Sequence, residues 1–150
     1  MKPLYVLLGS FAISNHIIFI VNKTMNWSLA GNIAMGIMLI FTAIGHFAFT
    51  KGMSAMIPDF TPYKAPLVYL TGILEIILAV GLLIPQYRKA TGIILIIFFI
   101  LILPANIKAA VENINYQTGE HDGPGLSYLW IRIPMQVLFI AWVFFCAVKD

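Results

Sequence analysis

A carboxylate at the centre of a membrane-spanning helix costs about 2.5–3.5 kcal/mol to insert, and Glu75 stands in such a run, YLTGILEIILAVGLL. It must face protein or a polar cavity rather than lipid. His46, Asn106, Arg132 and Gln136 are further polar residues inside or at the ends of apolar runs, besides His16 and Asn32. An imidazole, two carboxamides and a guanidinium donate hydrogen bonds to oxygen acceptors, and a carboxyl group can pass on a proton. Such groups grip the headgroup of an amphipathic molecule whose tail lies along apolar walls. No metal-ligand spacing, nucleotide-binding loop or nucleophilic triad accompanies them, so no catalytic residue is assigned.

Counted from the ends of the apolar runs at one membrane face, Asn106 lies one residue deep, His46 and Arg132 four and six, and Glu75 and Gln136 ten. At 1.5 Å per residue all five fall within roughly 14 Å of depth, in one half of the membrane. Thr42, His46 and Thr50 align at i, i+4, i+8, while Thr71 with Glu75 and Arg132 with Gln136 align at i, i+4. Each helix therefore carries its polar groups on one narrow stripe. The pattern describes a polar seam inside an apolar bundle. Two arrangements fit it: Glu75 pairs with Arg132 and the others act as hydrogen-bonding glue, or the seam is a ligand site. Pro104 and Pro134 remove amide donors, release the carbonyls of Ile100 and Trp130, and are expected to kink two helices near the same face.

If the first two helices form a hairpin around residue 24, His16 lies about 20 Å along the bundle from His46, which argues against a two-histidine haem. Besides these the chain has only His121 and a single cysteine, Cys146. No converging metal set, intrachain disulfide or C-x-x-C pair results, and no metal is expected. Cys146 lies in an apolar run and reads as a buried small hydrophobe. His16, with Ser14 and Asn15, is expected to hydrogen-bond a neighbouring helix, helped by close approach at Gly9, Ser10 and Ser14.

The elements that must position these residues are membrane helices. The chain is 61% hydrophobic and 10% charged, with a mean hydropathy of +0.93, more apolar surface than a soluble bundle hides. Five runs reach the ~20 residues that a span requires: about 3–21, 27–50, 65–84, 90–107 and 126–148. The first is read as a retained helix, because Ser14, Asn15 and His16 interrupt what would be a signal core. The fold class is all-α, one integral membrane bundle of five helices forming a single domain over 1–150. A net charge of +3, spread over single basic residues, excludes nucleic acid as a partner. The lipid bilayer is the main solvent.

Short links at 22–26 and 85–89 force antiparallel neighbours, and the long loops 51–64 and 108–125 fall on one side. Met53, Met56, Ile57 and Phe60 follow i, i+3, i+4, i+7, so 51–64 reads either as an amphipathic segment on the bilayer surface or as a loop packed on the bundle. The basic residues divide four against five between the two faces, and the acid-free Arg88-Lys89 turn tips the choice toward an outer amino terminus and a cytoplasmic carboxyl terminus. The expected location is the bacterial inner (cytoplasmic) membrane.

The stretches FTAIGHF (41–47), YLTGILE (69–75), LIPQYR (83–88), LPAN (103–106) and RIPMQ (132–136) occur in order. With them, the chain from about Leu29 onward resembles the DoxX-like family of small membrane proteins. The resemblance implies a four-helix membrane core with 3–21 as an added helix, and His46, Glu75, Asn106, Arg132 and Gln136 fall on its motifs. It implies no single activity: members are quinone-linked oxidoreductase subunits, parts of redox assemblies or, in distantly related NACHO-type proteins, receptor-assembly chaperones. Two functions are therefore carried forward. One is a binding or redox subunit whose seam takes a quinone or another amphipathic small molecule. The other is a non-enzymatic partner or assembly chaperone of a membrane protein, in which the seam only holds the bundle together.

Overall fold

The computed structural model describes residues 2–149, all-helical apart from turns and loops. In order come α1 (Lys2–Asn22), α2 (Trp27–Ala48), the short α3 (Thr50–Met56), α4 (Lys64–Leu83), α5 (Pro85–Leu101) and α6 (Leu103–Val111). A 3₁₀ turn (Leu126–Tyr128), α7 (Leu129–Val143) and a π-helical turn (Phe144–Val148) complete the chain. Five stretches are long and apolar enough to cross a membrane: α1, α2, α4, the α5–α6 pair over Pro85–Val111, and Leu126–Val148.

Local chemistry sets the boundaries. Lys23 adopts a left-handed conformation after α1, and Asn26 caps α2 by accepting the Leu29 amide at 2.9 Å, as asparagine does at helix starts. The link expected at 85–89 is instead the first turn of α5. Pro85 stands in that turn, where its missing N–H and fixed φ favour a helix start. Arg88 Nε then donates to the Leu82 carbonyl at 3.0 Å, satisfying an orphan carbonyl at the end of α4.

The two prolines act differently. Helical continuity breaks at Ile102, between α5 and α6 and two residues before Pro104. Pro134 lies inside α7 without interrupting it; the carbonyl it deprives, that of Trp130, belongs to the first turn, directly after the 3₁₀ segment.

The α2 helix is central, packed along both α1 and α4, and is the most buried of the five spans, whereas α1 is the least. Leu7, Met35, Met38, Leu39, Leu82, Leu95 and Val143 fill the core. At the short-hairpin end, Ser28 Oγ and Asn32 Nδ2 donate to the Cys146 carbonyl at 2.8 and 2.6 Å, and Trp142 Nε1 donates to the Gly31 carbonyl at 3.1 Å. A Cβ on Gly31 would collide with Cys146 Sγ.

At the other end the two long loops meet and form a cap. The apolar face expected over 53–60 stops early: α3 ends at Met56, Ile57 is extended, and Phe60 is 89% exposed. Pro58 disfavours helical geometry at the residue before it, which ends the helical face at Ile57. Asp59 binds Lys64 Nζ at 2.7 Å and Lys108 Nζ at 2.8 Å, and Lys108 also donates to the Ile57 carbonyl at 3.0 Å. Gly52 packs directly on the Tyr116 carbonyl, and Phe49 meets the Tyr116 ring edge-on at 5.8 Å.

Candidate functional site

The polar residues singled out above resolve into three contacts between helices. In the first, His46 of α2 faces α4. Its Nε2 lies 3.5 Å from Glu75 Oε1, and its Nδ1 lies 3.1 Å from both the Val68 carbonyl and Thr71 Oγ1. A carbonyl only accepts, so Nδ1 carries a proton, and Nε2 faces Glu75, accepting from a protonated carboxyl group when the ring is neutral and donating to a carboxylate when it is charged. Gly72 makes this approach possible: a Cβ there would sit 2.9 Å from His46 Cβ. The flanking Thr42 and Thr50 hydroxyls donate to carbonyls of α2 itself, so His46 alone of that stripe reaches across.

In the second contact, Arg132 Nη2 of α7 donates to Asn106 Oδ1 of α6 at 2.8 Å, and Nη1 donates to the Tyr128 hydroxyl at 3.3 Å. In the third, Gln136 Nε2 donates to the Phe99 carbonyl at 2.6 Å. That carbonyl lies in the last turn of α5, beside the break at Ile102, where helix carbonyls lack intrahelical partners. Gln136 thus closes one of the gaps that the interrupted helix opens.

A Glu75–Arg132 ion pair is not formed. Glu75 stands with His46, and among the described residues Arg132 has no carboxylate within ion-pair distance. Glu75, Asn106 and Gln136 are buried, and three enclosed atoms have no protein partner: Glu75 Oε2, Asn106 Nδ2 and Arg132 Nε. The arrangement therefore offers two unused donors from α6 and α7 and one unused carboxyl oxygen from α4.

Tyr128 and the Val68 carbonyl were not among the sequence candidates. Tyr128 stands four residues before Arg132, a spacing that marks it as a helical neighbour; the carbonyl has no side-chain signal. An apolar groove with Phe11, Trp27, Trp142 and Cys146 in its wall lies at the short-hairpin end, away from the seam. His16 is exposed, and Gly9 has nothing within 4 Å of a built Cβ, so the close approach expected there is absent. Among the described residues no group of three or more His, Cys, Asp or Glu could hold a metal ion.

Five apolar spans, of which all but α1 contribute to the polar contacts, define a small all-helical protein of the membrane-spanning type. Within that class the chain belongs to the family described as a domain of unknown function (DUF8561), whose model matches residues 35–147. The matched residues contain every seam side chain and leave out α1. No curated protein and no solved structure matches the chain.

Proposed function

We propose that the protein is a membrane-embedded binder of an amphipathic small molecule, with the seam receiving the polar headgroup. One observation carries this: Arg132 is a cation without a counter-charge among the described residues. Among the described residues its guanidinium hydrogen-bonds Asn106 and Tyr128, while its Nε and the neighbouring Asn106 Nδ2 are enclosed donors without an acceptor. Enclosed donors cost about 1–3 kcal/mol each when unmatched. Acceptor oxygens on a ligand complete them, and Glu75 Oε2 suits a ligand hydroxyl.

A quinone, which the DoxX resemblance implies, fits this donor set. Arg132 and Asn106 would hold its carbonyl oxygens, Glu75 would accept from the hydroxyl of its reduced form, and when bound it would supply two-electron redox chemistry. In this reading α2 through α7 form a DoxX-like core in the bacterial inner membrane, with the amino terminus and both long loops outside.

Extraction of the purified protein and mass spectrometry of the extract test the reading. A stoichiometric quinone or other amphipathic molecule, lost in Arg132→Met and Asn106→Leu variants that keep their helix content, supports it. An empty seam with a copurifying membrane protein replaces it with the role of a non-enzymatic partner or assembly chaperone.

A further inference from the structure

The outlying helix α1 takes no part in the seam, yet it carries polar chemistry of its own. Leu7, Ser14, Asn15 and Ile18 are buried, and α1 packs along α2. At 100° per residue, Tyr5, Gly9, Ala12 and His16 fall within an arc of about 60° on the opposite side of the helix, and all four are exposed. His16 makes no hydrogen bond among the described residues, although it stands six residues inside the end of an apolar span. Beside it Asn15 is 8% exposed, and its Oδ1 has no protein partner. Asn15 and His16 line one recess with Ala12, Phe19 and Met25.

We infer that α1 is a dimerisation helix that pairs with α1 of a second copy, the His16 imidazole of each bonding the Asn15 carboxamide of the other. In lipid, helices associate through close approach at small residues and through hydrogen bonds across the contact. Gly9 and Ala12 supply the first, with nothing within 4 Å of a Cβ at Gly9. Asn15 and His16 supply the second.

Self-complementarity selects a second copy as the occupant. Two copies inserted the same way are related by an axis along the membrane normal, so equivalent residues lie at equal depth. Asn15 and His16 differ in depth by about 1.5 Å. The axis therefore brings each imidazole level with a carboxamide, twice, and the broad terminal torsion of asparagine lets either end of that group turn toward the contact. A different partner helix would need its own matching donor and acceptor at this depth; this chain already holds both halves. The matched family residues begin after α1, so this contact adds assembly to a bundle whose seam lies elsewhere.

Oxidative crosslinking in proteoliposomes, in a Cys146→Ala background, tests the inference over a range of protein-to-lipid ratios. Ala12→Cys lies on the stripe, whereas Ile17, also exposed, points about 120° from Tyr5 and gives Ile17→Cys as the control. The expected result is a covalent dimer with Ala12→Cys and none with Ile17→Cys. His16→Leu and, separately, Asn15→Leu should raise the dissociation constant by about threefold to thirtyfold, the range for interhelical hydrogen bonds in membranes, while His16→Gln, which keeps a donor and an acceptor, restores dimerisation. Helix content and thermal midpoint of His16→Leu in detergent monomers should not change, because the side chain is exposed and makes no hydrogen bond among the described residues. Monomers at every ratio, equal linking at both positions, or linking of Ala12→Cys only to a different polypeptide would each overturn the assignment.

Discussion

His46 Nε2 lies 3.5 Å from Glu75 Oε1 across the α2–α4 contact, and the opposite ring nitrogen is held by the Val68 carbonyl and Thr71. The ring is gripped on both edges. Its orientation is fixed by backbone on one side, so the carboxyl group meets a positioned ring nitrogen on the other.

Double-mutant cycles should find the coupling in this pair. His46→Leu leaves the buried carboxyl group short of its partner and should destabilise the protein by about 1–3 kcal/mol. Combined with Glu75→Gln, the coupling energy should fall between about 0.5 and 3 kcal/mol. The same cycle with Arg132→Met in place of His46→Leu should give a value near zero. Thermal unfolding in detergent measures both, and strong Glu75–Arg132 coupling would contradict the geometry.

Gln136 should prove structural for α5. Gln136→Leu leaves the Phe99 carbonyl unmatched beside the Ile102 break, an expected loss of about 1–3 kcal/mol. Amide hydrogen exchange should quicken across 99–106 and stay unchanged across α1. Equal exchange at the break in both proteins would refute this role.

The cap should respond to acid. The hydrogen bonds from Lys108 and then Lys64 hold the Asp59 carboxyl well below its ordinary value, at about 2. A carboxylate depressed by folding contributes while the pH is above its unfolded value, and that contribution is lost as pH falls from about 4 toward 2. Asp59 is exposed to solvent, so salt should weaken the effect. Fluorescence of a label on the 51–64 segment should shift over that acid range, and Asp59→Asn should abolish the shift. Between pH 6 and 8 the clasp should be indifferent to pH.

Gly52→Ala should loosen the same cap from its other side. The new Cβ meets the Tyr116 carbonyl, which is backbone and cannot swing aside, so an overpacking cost of about 1–3 kcal/mol is expected. Limited proteolysis within 112–125 should accelerate. An unaltered cleavage rate would show that the two loops dock less tightly than their contact implies.

The spans were legible in the sequence because bilayer thickness sets the length of an apolar run, and the depth of each polar residue followed from counting. Depth places Glu75 level with Gln136 and within about 9 Å of both His46 and Arg132, without choosing among them. The choice rests on helix rotation and on which helices are neighbours: α4 lies along α2, so Glu75 meets His46 and leaves Arg132 to Asn106. Neither property has a period or a composition. Pro85 misled for a related reason, since proline marks a boundary without saying on which side the helix lies. Phe60 misled because its spacing continued a helical face that Pro58 had already ended.

The contact of Asn32 with the Cys146 carbonyl spans 114 residues of chain, and this has a consequence for biosynthesis. At about 5–20 residues per second, Asn32 is made roughly 6–23 s before its polar partner on the Phe144–Val148 turn exists. Through that interval Asn32 can bond only within its own helix, to Ser28, and Asn106 likewise waits for Arg132. Closure of the bundle thus joins α7 and the turn that follows it back to α2 at one end and to α6 at the other. A nascent chain stalled before α7 carries unmatched polar groups at two depths in lipid, which marks it as unfinished to proteases that sample incomplete folds.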